Sequence, residues 1–185
     1  MTSQATETEI NIQEAKASAQ RAADIKTPVN QRRNDSMLRK LLATSNDWTL
    51  TVLRLVTGVV FFMHGAQKML GWFGGYGFSG TMGFFTNMMH IPYPLALLAI
   101  LAEFLGGIGL IVGALTRVAA FGIATNMVVA TLMVHAPNGF FMNWTGQQKG
   151  EGFEYHLLAI AIAIVLMTRG GGAFSVDRAL SSKAE

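Results

Sequence analysis

Seven polar side chains lie within or beside strongly apolar stretches of this 185-residue chain. They are Arg54, His64, Lys68, Glu103, His135, Glu154 and His156. An imidazole or a charged group in such a stretch is unusual and calls for an explanation. Ionisable residues are rare in membrane-spanning segments and are by default candidates for ligand, ion or proton sites. A histidine or a charged donor can donate a hydrogen bond to each carbonyl oxygen of a quinone. We therefore predict that these seven residues bind a cofactor, with quinone as the candidate.

A metal or haem site has less support from the spacing. The four histidines are His64, His90, His135 and His156, and they show no H-x-x-x-H or comparable ligand pattern. The sequence contains no cysteine, which excludes thiolate metal sites, iron–sulfur clusters and cysteine nucleophiles. We predict no metal ligands and no catalytic residue, and whether the protein is an enzyme stays open. A quinone headgroup is favoured because it needs only a donor to each carbonyl and an apolar wall.

Arg54 and Glu103 are predicted to form an ion pair. The two side chains are long enough to close the roughly 8 Å that separates their backbone depths at 1.5 Å per helical residue. Such a pair either only locks two helices together or contains a proton-accepting carboxylate beside a redox or transport site. If the two do not pair, Lys68 and Asn126 are the nearest alternative partners of Glu103 by helix face.

The elements that carry these residues are four apolar runs, at 48–67, 92–115, 118–135 and 153–168. Each run is close to the ~20 residues that cross a bilayer as a helix. Backbone groups in lipid must pair within their own segment, so helices are expected. The predicted fold is an all-α membrane protein, a four-transmembrane-helix bundle over residues 48–180. Residues 181–185 form the C-terminal end.

Residues 1–47 form a polar tail of different composition. They hold 13 of the 25 charged residues and no glycine or aromatic residue. We predict that this tail is disordered or partly helical, with a helical turn or two within 9–25. The rest of the chain has about a third of the ~25% charged residues of a soluble domain, which excludes an ordinary soluble enzyme. The net charge of +3, with no basic patch, excludes a nucleic-acid partner.

The lysines and arginines near the spans predict the orientation. Eight lie on the side of the termini, namely Arg32, Arg33, Arg39, Lys40, Arg117, Arg169, Arg178 and Lys183. Two, Lys68 and Lys149, lie on the other side. The positive-inside rule then predicts that both termini are cytoplasmic in a bacterial inner membrane. The two outer loops, 69–91 and 136–152, are rich in glycine and aromatic residues, which fits either an aromatic girdle or lids folded over the bundle.

Small residues recur along one face of each span. Gly58 and Gly65 flank Phe61 on the first span, and Gly106 and Gly107 follow Glu103 on the second. Helices in lipid pack through small residues, since the lipid is as apolar as the helix surface. Each of these stripes also includes a polar residue. The pattern predicts a compact bundle with a polar interior.

These residues resemble the DoxX family of four-helix membrane proteins. The similar segments are Leu53-Arg54-Leu55, Gly58, Phe61-Phe62, His64-Gly65, Lys68, Glu103-Phe104-Leu105-Gly106-Gly107, Leu110, Gly113, Thr116-Arg117, Asn138-Gly139-Phe140-Phe141, Gly152-Phe153-Glu154-Tyr155, Gly170-Gly171-Gly172, Ser175 and Asp177. The resemblance covers roughly residues 48–180 and implies an integral inner-membrane protein with a four-helix bundle. Fold-level kinship does not by itself carry chemistry with it.

The resemblance implies function loosely. It is consistent with a quinone-interacting or accessory membrane subunit of an oxidoreductase or oxidative-stress complex. The expected partners are the lipid bilayer and either other membrane or redox subunits or further copies of the chain. The alternative is a non-catalytic scaffold or assembly protein whose polar residues only hold helices together. A small-solute transporter has the least support, because four spans leave little room for the paired repeats of transporters.

Overall fold

The computed structural model describes residues 12–21 and 37–181, and those residues contain helices and loops but no strand. Residues up to Lys40 and residues from Leu41 onward form two separate units. Two short helices, α1 over 12–21 and α2 over 37–42, precede the apolar part of the chain. The other helices are α3 (Trp48–Leu70), α4 (Gly77–Gly83), α5 (Tyr93–Val112), α6 (Thr116–Ala130), α7 (Glu154–Arg169) and α8 (Val176–Ser181). The all-α class is confirmed. The predictions for 1–11, 22–36 and the last four residues lie outside the described part.

The described residues include three helices that are long and apolar enough to cross a membrane. They are Trp48–Leu70, Tyr93–Val112 and Thr116–Asn138. The last one continues α6 through a π-helical turn, Thr131–His135, and a 3₁₀ turn, Ala136–Asn138. Helix α7 has 16 residues, which at 1.5 Å per residue is about 24 Å against ~30 Å of hydrocarbon. The protein is thus a membrane protein with several apolar helices, and the predicted fourth span is not among those three.

The four long helices run up and down in chain order. Helix α3 packs mainly on α5, α5 also packs on α6, and α6 packs on α7, which touches α3 again. We call the end with the α5–α6 turn and residues 170–181 the basic end. The end with residues 71–92 and 136–153 is the loop end. One buried cluster, which includes Phe61, Leu110 and Leu166, fills the space between the four helices.

Gly65 allows α3 to approach α5 closely. A Cβ atom built at this position would overlap the backbone of Phe104 and come within 2.7 Å of the Glu103 carbonyl carbon. Any larger residue would force the two helices apart. The small-residue face predicted for α3 is therefore a packing surface, and it puts the backbone of Glu103 one helical turn below Lys68.

Asp47 begins α3 as its N-cap. Its carboxylate accepts hydrogen bonds from the Thr49 hydroxyl at 2.6 Å and from the Thr49 amide at 2.9 Å. An N-cap acceptor satisfies an amide that the first helical turn leaves without a partner. Both hydrogen bonds favour the ionised form, and they hold the pKa of Asp47 below its ordinary value.

The loop end contains more regular structure than the sequence predicts. The segment 69–91, expected to be a loop, holds the short helix α4 and a π-helical turn, Phe84–Met88. Met82 on α4 packs against Ala96 and Ile100 of α5 in a second buried cluster. This contact ties the first outer loop to the bundle.

A polar cluster inside the helix bundle

Lys68, Glu103 and Asn126 meet between three of the long helices. The Lys68 ammonium donates to Glu103 Oε2 at 2.5 Å, and the Asn126 side-chain amide donates to Oε1 at 2.8 Å. The Glu103 side chain is 5% exposed and that of Lys68 is 26% exposed. Each carboxylate oxygen thus has its own donor, which is the arrangement that an ionised carboxylate needs inside an apolar bundle.

Two further side chains lie within electrostatic range of this triad. The charges of Lys68 and Glu103 act on His64, which is one turn below Lys68 on α3. The charge of Glu103 also acts on Tyr155 at the start of α7. Helices α3, α5, α6 and α7 therefore each contribute a polar side chain to one region of the bundle.

His135 and His156 form a second contact nearby. Their ring centroids are 4.0 Å apart with an interplanar angle of 39°. His135 Nδ1 lies 2.9 Å from the backbone carbonyl of Glu151. His156 is 7% exposed, and its Nδ1 is buried with no hydrogen-bond partner among the described residues. Buried polar groups are nearly always paired, so this nitrogen points to a partner that is not a protein atom.

Glu151 and Glu154 close the second outer loop rather than entering the bundle. Glu154 accepts from the amide of Met142 at 3.1 Å and from Trp144 Nε1 at 3.3 Å. Glu151 accepts from the amide of Asn143 at 2.6 Å. Trp144 itself is exposed, as expected for a side chain at a membrane–water interface. The loop is thus fastened to its own ends, and its aromatic residues face outward.

The predicted ion pair between Arg54 and Glu103 is wrong. The guanidinium, 1% exposed, donates only to backbone carbonyls in its described hydrogen bonds. Its Nη1 lies 2.6 Å from the carbonyls of both Leu110 and Ile111, and its Nε lies 3.0 Å from that of Gly171. Carbonyls at a helix C-terminus lack helical partners and carry partial negative charge, so they compete well for a cation. Glu103 is instead held by the two alternative partners that its helix face suggested.

Arg54 belongs to a group of side chains that cap helix ends at the basic end. Asp177 accepts from the amides of Leu115 at 2.7 Å and Thr116 at 2.9 Å, where α6 begins. Arg117 donates to the carbonyls of Met167 and Thr168, where α7 ends. Each charge has the sign that stabilises the helix terminus it contacts. These polar residues of the basic end therefore have a structural role, which is to cap helix ends.

Gly113 permits the turn between these capped ends. Its φ is +73°, and a Cβ there would meet Ser175 Cβ at 2.5 Å and Arg54 Cζ at 3.0 Å. A side chain is thus excluded both by the backbone conformation and by the guanidinium that caps α5.

The structure divides the seven predicted site residues into three groups. Lys68 and Glu103 are in direct contact, with His64 in range of both. His135 and His156 are stacked at the loop end, and Glu154 holds the loop. Arg54 lies at the opposite end of the bundle. Asn126 and Tyr155 were not among the predicted site residues, although Asn126 shares a helix face with small residues and Tyr155 adjoins Glu154.

Metal ligation has no support from the described residues, which contain no group of three or more acidic, histidine or cysteine side chains that could hold an ion. The groups that do converge are an ammonium and an amide in contact with one carboxylate, with the imidazole of His64 and the phenol of Tyr155 within electrostatic range. This set suits an organic ligand with carbonyl or hydroxyl oxygens better than a metal ion.

In a comparison with known proteins, residues 49–136 match the DoxX family model. The chain is 29% identical over 115 residues to "Putative oxidoreductase CatD" of Bacillus subtilis, covering 62% of this chain and 75% of that protein. It is 27% identical over 137 residues to "Inner membrane protein YqjF" of Escherichia coli, covering 74% of this chain and 95% of that protein. No solved structure matches. The resemblance to the DoxX family is thus confirmed over residues 49–136, which contain Arg54, His64, Lys68, Glu103, Asn126 and His135.

Proposed function

We propose that this protein is the quinone-binding membrane subunit of an oxidoreductase. The observation that carries the proposal is the Lys68–Glu103–Asn126 triad, which holds two opposite charges between apolar helices. Apolar residues can hold helices together with a free energy of folding that is equal to or more favourable than that of an ion pair. An ion pair inside the membrane is therefore a candidate functional site. The name of the CatD relative, an oxidoreductase, supports the same class of activity.

The side chains around the triad fit a quinone headgroup. The Lys68 ammonium and the Tyr155 hydroxyl are donors for carbonyl oxygens, and Glu103 is an acceptor for a quinol hydroxyl. When bound, a quinone would supply two-electron, two-proton redox chemistry. The chain's own residues would orient the headgroup and exchange protons with it.

The electrons would come from a partner redox subunit. The sequence has no cysteine and no nucleotide-binding motif, so the electron donor in this proposal belongs to another chain. The proposed setting is the bacterial inner membrane, with both termini cytoplasmic and α7 as a fourth span. The eight-to-two distribution of lysine and arginine near the spans supports that orientation.

Quinone binding by the purified protein tests the proposal. Protein isolated in a mild detergent should carry quinone, identified by mass spectrometry of the extracted lipids. It should also bind added decyl-ubiquinone, measured by quenching of tryptophan fluorescence. Lys68→Met and Glu103→Gln should each weaken this binding at least tenfold, and Lys149→Met, at an exposed loop position, should leave it unchanged.

Two results would contradict the proposal. One is wild-type protein that neither retains nor binds a quinone. The other is equal binding by wild type and both triad variants, which would place any quinone elsewhere. Triad variants that bind normally but lower the yield of a co-purifying complex would favour the scaffold alternative.

A further inference from the structure

We infer that His156 and His135 form a proton relay between the Glu103 site and the loop end of the bundle. The inference rests on the proposed function and deepens it. It specifies which surface exchanges protons with the bound quinone and which side chains carry them. Reduction of one quinone consumes two electrons, supplied by the partner redox subunit, and two protons, which would enter through these two histidines.

His135 is oriented for transfer at the outer end of the relay. Its Nδ1 faces the carbonyl of Glu151 at 2.9 Å, and a carbonyl oxygen can only accept a hydrogen bond. Nδ1 therefore carries the hydrogen, and in the neutral ring Nε2 is the nitrogen that can accept a proton. His135 is half-buried, beside a loop whose ends are exposed. A proton arriving from that side thus has an acceptor.

His156 is the inner member of the relay. Its ring is tilted by 39° against that of His135, with the ring centroids 4.0 Å apart, and its Nδ1 has no partner among the described residues. Leaving a buried polar atom unpaired costs free energy, so a purely structural histidine would be expected to have found a partner. An imidazole can accept a proton at one ring nitrogen and release another from the second. These are the properties that a relay position requires.

Ionisable groups from every neighbouring element surround the two histidines. Helix α3 contributes His64, which is within electrostatic range of His156, and α7 contributes Tyr155, whose ring lies 5.7 Å from that of His156. Lys68 of α3 and Glu103 of α5 act in turn on His64. The second outer loop and the start of α7 contribute Glu151 and Glu154. His64, which is within electrostatic range of both Glu103 and His156, links the Glu103 site to the two histidines. The π-helical turn Thr131–His135 places His135 in this position, and such turns are frequent at functional sites.

Substitution of each histidine tests the relay. The protein would be placed in lipid vesicles with decyl-ubiquinone. The quinone would be reduced with reduced cobalt sepulchrate, an electron donor whose oxidation releases no proton, and proton uptake would be followed with a pH-sensitive dye. His156→Gln and His135→Ala should bind quinone within threefold of wild type but take up protons at least tenfold more slowly. Free imidazole should restore the rate in His135→Ala, since the half-buried position 135 lies beside exposed loop residues. The control is His90→Asn, a loop position with φ +56° that asparagine tolerates, and it should behave as wild type.

A second measurement needs no quinone. After a rapid drop in pH, infrared spectroscopy can follow the carboxyl band that Glu103→Gln abolishes. This band should appear at least tenfold more slowly in His156→Gln than in wild type. The same experiment on His135→Ala covers the case in which His156→Gln fails to fold.

The outcomes separate the relay from the proposed function. If wild type binds no quinone, the proposed function fails, while the pH-jump experiment still tests the relay. If quinone binds normally and both histidine variants take up protons at the wild-type rate, the relay is wrong. Loss of quinone binding in His156→Gln would make His156 a direct ligand contact and would also overturn the relay. Slower uptake without imidazole rescue would assign His135 a structural role.

Discussion

Neutralising either partner of the Lys68–Glu103 pair should destabilise the bundle, and neutralising both should cost less than the sum of the two single changes. Removing one partner of a buried ion pair typically costs ~3–5 kcal/mol. Lys68→Met leaves the Glu103 carboxylate, 5% exposed, with only the Asn126 amide. Because the Lys68 side chain is 26% exposed, some water already screens the pair. We therefore expect the lower end of that range, about 3 kcal/mol.

Glu103→Gln should cost less. The glutamine can still accept from Asn126, and the remaining ammonium of Lys68 can lose its proton when it is buried without a counter-charge. About 2 kcal/mol is expected for a lost hydrogen bond to a charged group. The double variant should lose about 3 kcal/mol rather than the sum of both changes, which gives a coupling of about 2 kcal/mol.

Equilibrium unfolding in mixed micelles of a mild detergent and dodecyl sulfate, followed by circular dichroism, would measure these free energies. Lys149→Met provides the matched control for Lys68→Met, because it removes the same charge from an exposed loop position. It should change the free energy of unfolding by less than about 0.5 kcal/mol.

Additive losses in the Lys68–Glu103 cycle would refute the reasoning, since directly bonded charges must be coupled. A second cycle with Arg54→Met and Glu103→Gln should be additive within about 0.5 kcal/mol, because these side chains share no hydrogen-bond partner. Strong coupling there would restore the ion pair predicted from the sequence.

Four further changes probe the packing and the helix caps. Gly65→Ala should separate α3 from α5 and lower the free energy of unfolding by about 1–3 kcal/mol, and the same unfolding assay measures it. Arg54→Lys should cost about 2 kcal/mol, because one ammonium cannot reproduce the guanidinium contacts to four carbonyls, and equal stability would contradict the capping role. Asp177→Asn should cost about 1 kcal/mol by removing a negative charge from the start of α6, seen as a lower midpoint of unfolding. Asp47 has a lowered pKa, so its contribution is complete above the ordinary aspartate pKa and is lost as pH falls through the folded value. A pH series of unfolding midpoints should therefore fall less steeply in acid for Asp47→Asn than for wild type.

The sequence alone determined the helical, membrane-embedded character of this protein. Runs of about twenty apolar residues permit only backbone conformations that satisfy their own hydrogen bonds, so helices follow from local composition. The predicted spans 48–67, 92–115 and 118–135 correspond to the three helices that meet the requirements for a membrane span. Gly65 could be assigned to a packing face from spacing alone, because the helical period is fixed.

The partners of the polar side chains were decided by the tertiary structure. The depths of Arg54 and Glu103 along their helices led to the prediction that they pair. A guanidinium can also cap backbone carbonyls, however, and no local sequence pattern shows that the end of α5 lies beside Arg54. The stacking of His135 on His156 depends on a π-helical turn that changes the helical register just before His135. Such a turn has no reliable sequence signal, since it is stabilised by the contacts that it creates. The helical period fixes which side chains share a face, but the packing of faces from distant parts of the chain decides which of them meet.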